Sequence, residues 1–366
     1  MVTIDNIQIF IMTHNRAALL GESIESILNQ TAGVKELTVL DNESTDGTEE
    51  VALSFLDKGV KYQKTCGFLG NFYKAKEIVN KEYVMLFHDD DILHPEYLEK
   101  AIAVLNKEKN LAAVYSRYTE FQGGNSPKTF ENLKTCIRTG RGMYKDDVYE
   151  GGGYYVFENQ KAFAFYMFFC ERIAYCSAVY RSDLFKKIDL EYEKFSKFND
   201  WPFMAKFGKF GKIAVLCDRN ALYIRRHDLQ DTWTYANTPS FEQILNWDKF
   251  FIDIIFKRDD TFLRKLYSRR ATHFYVGKYQ GFVSPAKKEK FSEDDLRKLA
   301  KQEGIPERDD NLISQQTYDA YLRFFSEKRL RPLSGASLSF IHIIKRCLKV
   351  IYCYLKFDMR NCNVKR

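Results

Sequence analysis

The alternation of short apolar runs with amphipathic segments in the first 115 residues constrains the fold of this chain most strongly. Residues 7–12, 37–40, 83–87 and 111–115 have the length and apolar composition of buried strands. Segments with helical spacing lie between them, at residues 20–28, 48–56, 69–79 and 95–105. Strands separated by helices favour a mostly parallel sheet with helices on its faces. We therefore predict an α/β fold of this Rossmann-like kind.

The pattern changes along the rest of the chain. Residues 116–161 are rich in glycine, which is typical of a substrate-binding loop or of a linker. Regular patterns return over residues 162–224, and beyond Pro239 only helical patterns occur. We predict an α/β domain over residues 1–235 and a helical C-terminal region over residues 236–366.

Composition argues against several classes of protein. The eight cysteines form no CxxC pair and have no zinc-like spacing with histidine, so we expect reduced thiols in a cytoplasmic protein. Residues 1–6 lack the positive charge of a signal peptide, and no stretch reaches the roughly 18 apolar residues of a membrane span. The net charge of +7 includes seven Lys or Arg and one acid in residues 337–366, a local balance of +6. The rest is nearly neutral, so no nucleic-acid partner is expected.

Three polar segments follow predicted strands. They are residues 13–16 (Thr-His-Asn-Arg), residues 41–48 (Asp-Asn-Glu-Ser-Thr-Asp-Gly-Thr) and residues 88–91 (His-Asp-Asp-Asp). In an α/β sheet the carboxyl ends of parallel strands form the crevice that binds ligands. Asp46 and Thr48 are best interpreted as caps of the next helix. Three adjacent carboxylates repel one another, which indicates a site for a hard cation such as Mg²⁺ or Mn²⁺.

The order of these segments resembles that of the family 2 glycosyltransferases of the GT-A fold. Those enzymes have similar T-x-N-R, D-N-x-S-x-D-G-T and D-x-D segments in the same order. The GFLGN segment at residues 67–71 is similar to the Gly/Asn element of the family. Asn199-Asp200-Trp201 resembles its catalytic-base motif, and Arg225-Arg226-His227 resembles its R-x-H element. The resemblance covers residues 7–232 and leaves out the last 130 or so.

The resemblance implies a role for each matching residue. Asp200 would be the general base, and the metal, Mn²⁺ or Mg²⁺, would be held by Asp90, Asp91 and His227. The residues implied in donor binding are Thr13, Asn15, Arg16, Asp41, Asn71, Asp89 and Arg225. Thr13 and Asp41 correspond to positions that hold the base and ribose, and Arg225 to a contact with the diphosphate. His88 stands where many members have the first Asp of D-x-D.

The activity implied is inverting transfer of a sugar from a nucleotide-sugar donor, with UDP-sugars the commonest in the family, to a glycan or lipid-linked glycan acceptor. The setting implied is surface-polysaccharide assembly in bacteria. Two alternatives keep the fold and change the activity. A nucleotidyltransferase would open with a Gly-rich phosphate loop, which residues 11–21 lack. A non-catalytic nucleotide-sugar-binding protein would have no need of Asp41, Asp90 and Asp200 together.

Local alternatives also remain. Asn199 and Asp200 before Trp201-Pro202 form a good helix N-cap, and His227 alone is more typical of an ordinary core histidine. In residues 337–366 an apolar stripe with flanking Lys and Arg predicts peripheral contact with an anionic membrane, at the cytoplasmic face of the inner membrane. An amphipathic helix packed on the α/β domain explains the same stripe.

Overall fold

The computed structural model describes residues 1–122, 153–169, 173–216, 221–227, 241–255 and 362–365. The strands are β1 (Ile7–Thr13), β2 (Leu37–Asn42), β3 (Val60–Thr65), β4 (Tyr83–His88), β5 (Ile92–Leu93), β6 (Leu111–Ser116), β7 (Thr119–Gln122), β8 (Tyr154–Phe157), β9 (Val179–Arg181), β10 (Lys212–Leu216), β11 (Leu222–Arg226) and β12 (Cys362–Lys365). The helices are α1 (Ala17–Leu28), α2 (Thr48–Leu53), α3 (Gly70–Ile78), α4 (Tyr97–Lys107), α5 (Gln160–Phe169), α6 (Ser182–Phe185), α7 (Tyr192–Phe195), α8 (Asp200–Phe207) and α9 (Phe241–Ile255).

Nine strands form one sheet in the order β12-β8-β10-β6-β9-β4-β1-β2-β3. β4, β1, β2 and β3 are parallel, as are β6 and β10. β9 is antiparallel to both β4 and β6, and β8 is antiparallel to β10 and β12. The predicted parallel α/β arrangement is confirmed for the half that carries residues 13–16, 41–48 and 88–91. A second sheet has the order β5-β11-β7.

Apolar side chains on both faces of the large sheet create two cores. In β1, Phe10 packs into the core on the α3 side, whereas Ile9 and Ile11 pack into the core beneath α1 and α4. This alternation follows from the two-residue period of a strand. Because both faces are covered, the central strands read as unbroken apolar runs, which is why the sequence revealed them.

The structure departs from the expectations in three places. β3 was not predicted, because Val60 and Thr65 are its buried residues and two lysines lie between them. β7 and β8 are strands within residues 116–161, which were interpreted as a loop or a linker. The predicted all-helical C-terminal region is wrong for Cys362–Lys365, which pair with β8 as an edge strand, whereas α9 confirms the helical pattern that begins at Phe241. Residues 123–152 and the stripe proposed to bind membranes, up to residue 361, lie outside the described residues. Among the described helices, none has both the length and the apolar composition needed to cross a membrane.

Gly59 fixes the entry of β3 next to β2. It has a φ of 86°, and a Cβ atom there would lie 2.1 Å from the carbonyl oxygen of Lys35. Gly33 also has a positive φ, of 75°, but a Cβ there would meet nothing within 4 Å. We expect Gly33→Ala to cost about 1 kcal/mol from backbone strain alone, and Gly59→Ala to cost roughly 1–3 kcal/mol more from the clash. Urea unfolding of both variants tests this difference, and equal midpoints would contradict it.

Candidate active site

The register of the parallel strands brings the three polar segments to one edge of the sheet. Thr13 pairs with Asp41 across β1 and β2, and Met12 pairs with His88 across β1 and β4. Thr13, Asp41 and His88 therefore lie within one residue of the carboxyl ends of three neighbouring strands, and within one residue of the same height. The polar side chains meet at this edge of the sheet, which is where α/β folds bind ligands.

The loop after β1 is bonded to the loop after β2. The backbone N–H of Asn15 donates to Ser44 Oγ over 2.8 Å, and Asn15 Oδ1 accepts from the N–H of Thr45 over 2.8 Å. The N–H of Arg16 donates to Thr48 Oγ1 over 2.9 Å. These contacts show Asn15 and Arg16 shaping the crevice wall, and their predicted role in donor binding stays a prediction.

Asp46 satisfies the beginnings of two helices. Its carboxylate accepts from the N–H of Ala17 over 3.1 Å and from the N–H of Thr48 over 3.0 Å. These are the first residues of α1 and α2, whose N–H groups have no partner within the helix. Asp46 therefore satisfies N–H groups at the helix ends as predicted, although Gly47 is the N-cap residue of α2. The interpretation of Thr48 as a cap is wrong, because Thr48 is the first residue of α2 and its hydroxyl accepts from the N–H of Arg16.

Asp41, Thr13 and Asn71 form a second set of bonds across β1, β2 and β3. Asp41 is buried and accepts from Tyr62 over 2.7 Å and from both donors of Ser44. Asn71 Nδ2 donates to the carbonyl of Thr13 over 3.0 Å, and its Oδ1 accepts from Thr65. The structure thus brings together the predicted base and ribose residues, and it gives both oxygens of Asp41 protein partners.

The three consecutive carboxylates after β4 have different surroundings. Asp89 accepts from the N–H of His14 over 3.3 Å and lies 3.9 Å from Arg16 Nε. Burial raises the pKa of Asp89 to about 7, and the charge of neighbouring Asp90 adds to the rise. A carboxyl group with this pKa is half protonated near neutrality, which relieves the repulsion within the cluster.

Asp90 is paired with His227. His227 Nε2 lies 3.0 Å from Asp90 Oδ2, and both side chains keep slight exposure, of 11% and 12%. An imidazole nitrogen and a carboxylate oxygen at this separation are two ligand atoms suited to one Mn²⁺ ion. The structure therefore brings together two of the three predicted metal ligands, and their donor atoms fit the ion.

Asp91 is turned to different partners. Its Oδ1 accepts from the N–H of Arg225 over 3.1 Å, and its Oδ2 lies 3.1 Å from Cys176 Sγ and 3.5 Å from His88 Nδ1. Burial raises the pKa of Asp91 and raises that of Cys176 to about 12. Asp91 is not bonded to His227, so the structure separates it from the Asp90 pair with which it was predicted. Cys176 was missed, because nothing near it in the sequence marks it as a site residue.

Arg225 is wholly buried behind this turn. Its Nε donates to the carbonyl of Asp90 over 2.9 Å, and its Nη2 donates to Glu22 on α1. The guanidinium also lies over the ring of Phe121 at 4.8 Å. In this structure Arg225 positions Asp90 from behind, and its predicted contact with the donor diphosphate stays a prediction.

Asp200 is the first residue of α8, and it lies in a different segment of the same site. Asn199 makes no capping hydrogen bond with its side chain, which instead donates to Ser196 over 2.6 Å. Asn199 nevertheless occupies the N-cap position of α8, and the Asp200 carboxylate accepts from the N–H of Trp201 over 2.8 Å, so the helix-end interpretation of this pair is confirmed in position. Burial raises the pKa of Asp200 to about 6, although its bond from Trp201 and the charge of His88 oppose the rise. A carboxyl group tuned toward neutrality is suited to acid–base chemistry.

Comparison with known proteins places this geometry in a family. A sequence profile described as Glycosyl transferase family 2 matches residues 8–188. The chain belongs to this family. An uncharacterized glycosyltransferase of Rickettsia typhi is 28% identical over 235 residues, which are 63% of this chain and 67% of the relative. One of Rickettsia prowazekii is 35% identical over 106 residues, which are 28% of this chain and 33% of the relative.

Solved structures confirm the predicted fold. Staphylococcus aureus TarS 1-349 in complex with UDP-GlcNAc superposes with a TM-score of 0.54 at 15% identity, covering 88% of this chain and 87% of TarS. The same protein in complex with UDP gives a TM-score of 0.51. The protein described above is a glycosyltransferase of family 2 with the GT-A fold.

The Arg225–Glu22 contact predicts a measurable stability effect. Glu22→Ala leaves a fully buried guanidinium without its carboxylate, and we expect a loss of roughly 1–2 kcal/mol. Glu25→Ala, an exposed residue one turn along the same helix, is the matched control and should change stability by less than about 0.5 kcal/mol. Thermal unfolding of both variants decides the matter, and similar melting temperatures would show that Arg225 does not need Glu22.

Proposed function

We propose that this glycosyltransferase is an inverting enzyme that moves a sugar from a nucleotide-sugar donor to a hydroxyl group of a glycan or lipid-linked glycan. The observation that carries the proposal is Asp200, a partly buried carboxyl group at the beginning of α8 whose pKa is raised to about 6 and whose charge interacts with that of His88. Such a group is ionised at neutral pH and can accept a proton. Inversion needs one base of this kind.

A UDP-sugar is the proposed donor. TarS, which shares the fold, has been crystallised with UDP and with UDP-GlcNAc. In the present chain Thr13, Asn15 and Asp41 lie together at the carboxyl ends of β1 and β2, and their side chains have the oxygens and the amide group that suit a uracil ring and a ribose. Asp89 lies beside Arg16 at the same edge. These residues remain the proposed donor-binding set, together with Asn71.

Mn²⁺ or Mg²⁺ is the proposed cofactor, held by Asp90 and His227. When bound, the ion offsets the negative charge that develops on the departing nucleotide. The Asp90 oxygen and His227 nitrogen already lie 3.0 Å apart. Arg225 holds the main chain of Asp90 in place, and Asp91 secures the adjoining turn through the N–H of Arg225.

The reaction then has one displacement. An acceptor hydroxyl transfers its proton to a carboxylate oxygen of Asp200 while its oxygen attacks the anomeric carbon. The bond between that carbon and the diphosphate oxygen breaks on the opposite side, and the electron pair leaves with the nucleoside diphosphate. The configuration at the anomeric carbon is inverted.

A non-catalytic nucleotide-sugar-binding protein remains the alternative proposal. It would use the same crevice and would gain nothing from a carboxyl group whose burial makes ionisation unfavourable. A nucleotidyltransferase is less compatible with the family to which the chain belongs. Release of nucleoside diphosphate from a panel of nucleotide sugars in the presence of Mn²⁺ separates an enzyme from a binding protein.

Asp200→Asn should lower turnover by about 10²–10⁴-fold, since the amide cannot accept the acceptor proton. UDP affinity, measured by calorimetry, should stay within about twofold of the wild type. In the wild type, kcat should rise with pH through about 6 and become level above it, because the carboxyl group must lose its proton to act. A variant that retains wild-type turnover would place the base elsewhere.

The control for Asp200→Asn is Asp183→Asn. Asp183 lies in an exposed pair with Arg181, whose hydrogen bond lowers the pKa of Asp183. Because folding raises the pKa of Asp200, its ionised form opposes folding above pH 6, and this cost vanishes below the unfolded pKa near pH 4. Asp200→Asn should therefore melt at a higher temperature than the wild type at pH 8, whereas Asp183→Asn should not.

Asp90→Ala should abolish most metal-dependent turnover and weaken Mn²⁺ binding by at least about tenfold, since it removes the carboxylate that faces His227. The binding is measured by electron paramagnetic resonance of Mn²⁺ in the presence of UDP. Asp57→Ala, on the surface turn Leu56–Lys58, serves as the control. Full activity of the wild type in excess EDTA would contradict the metal requirement.

A further inference from the structure

A second cluster of ligand atoms lies beside the Asp90 pair. His88 Nδ1, Asp91 Oδ2 and Cys176 Sγ all lie within 4.8 Å of one another. Sγ is 3.1 Å from Oδ2, and Nδ1 is 3.5 Å from Oδ2. The three side chains come from the end of β4, the turn that follows it, and the 3-10 turn Tyr175–Ser177. The fold therefore brings a sulfur from 85 positions along the chain to a nitrogen and an oxygen that are three residues apart.

These distances suit a single small ion. Zinc binds sulfur at about 2.3 Å and histidine nitrogen or carboxylate oxygen at about 2.0–2.2 Å. In a tetrahedral site with these bond lengths, neighbouring ligand atoms lie about 3.4–3.6 Å apart. The separations of 3.1 and 3.5 Å are within a few tenths of an ångström of that geometry, and the third pair, His88 Nδ1 and Cys176 Sγ, lies within 4.8 Å.

We propose that His88, Asp91 and Cys176 bind one Zn²⁺ ion, at a site distinct from the Mn²⁺ or Mg²⁺ site of Asp90 and His227. A thiolate and a carboxylate together balance the charge of the divalent ion, and the imidazole binds as a neutral ligand. A buried site that is neutral overall avoids the cost of burying a net charge. Hard ions such as Mg²⁺ find only one oxygen here, so the two sites differ in the metal they select.

The ligands are held in place and the ion has access. Asp91 is fixed on its other oxygen by the N–H of Arg225, and its carbonyl accepts from Ser23 over 2.8 Å. Such outer contacts orient metal ligands. The side chain of His88 is 42% exposed, whereas those of Asp91 and Cys176 are buried. Solvent therefore reaches the cluster from the His88 side, where a water molecule can complete the tetrahedron.

The expected consequence is inhibition. Asp91 is next to Asp90 in the chain, so a Zn²⁺ ion on Asp91 places a second positive charge beside the proposed Mn²⁺ or Mg²⁺ site of Asp90 and His227. Like charges at short range repel, so bound zinc should weaken the binding of the ion that the reaction needs. This consequence rests on the proposed function, whereas the binding of Zn²⁺ does not.

The test compares Zn²⁺ binding by the wild type, Cys176→Ala and His88→Ala, with Cys66→Ala as the matched control, because Cys66 is the exposed free thiol of the described residues. The full chain is titrated with Zn²⁺ and the bound metal is counted. The wild type and Cys66→Ala should each bind one more equivalent than Cys176→Ala. His88→Ala should bind the additional Zn²⁺ ion at least tenfold more weakly than the wild type. If Cys176→Ala does not fold, the His88→Ala variant still tests the proposed site.

X-ray absorption of the zinc-loaded protein supplies the second readout, and a Zn–S distance near 2.3 Å should be present in the wild type and lost in Cys176→Ala. Equal zinc counts in all four proteins, or a spectrum unchanged by Cys176→Ala, would overturn the site. Zn²⁺ is also added to reactions supported by Mn²⁺, and the activity of each protein is expressed relative to its own activity without zinc. The Zn²⁺ concentration that halves this activity should be more than tenfold lower for the wild type and Cys66→Ala than for Cys176→Ala. If no nucleotide sugar is turned over by any protein, the proposed function fails while the zinc count still decides the site.

Discussion

The buried guanidinium of Arg225 is the interaction on which the geometry of the site depends. It joins the carbonyl of Asp90 to Glu22 on α1, and it lies on the ring of Phe121 in β7. A positive charge without solvent contact must keep its partners, since losing one leaves an uncompensated charge in the interior. The turn that carries the carboxylates therefore cannot move independently of α1 or of the small β5-β11-β7 sheet. That sheet delivers Arg225 to the back of Asp90 and, two residues later, His227 to its front.

The backbone is also strained in the loops that follow β1, β2 and β3. Asn15, Glu43 and Leu69 have φ values of 52°, 57° and 57°, and they follow β1, β2 and β3. A left-handed conformation costs about 1 kcal/mol or more for a residue other than glycine. The bonds of Asn15 to Ser44 and Thr45 offset part of that cost. Among the described residues, three of the six positions with positive φ other than glycine thus lie at this edge of the sheet, and hydrogen bonds stabilise the strained conformation of Asn15.

The sequence predicts the parts of this fold whose signal is local. β1, β2, β4 and β6 are apolar runs because both faces of the sheet are covered, and such runs are visible in one sequence. β3 is an edge of the sheet with lysines on its outer positions, so its pattern resembles that of a surface loop. The family motifs located Asp90, Asp200 and His227. They did not reveal that Cys176 contacts Asp91 from 85 positions away, because such a pairing depends on how β4 and β9 meet in space.

The difference among the three adjacent carboxylates is the clearest case in which environment, rather than residue type, assigns a chemical role. Both oxygens of Asp91 have protein partners, which are the N–H of Arg225, the Cys176 thiol and His88. Burial and the charge of Asp90 raise the pKa of Asp89 to about 7. Asp90 is instead paired with an imidazole, which is itself a metal ligand. Asp90 and His227 would therefore hold the proposed ion, and its positive charge would offset the repulsion among the three adjacent carboxylates.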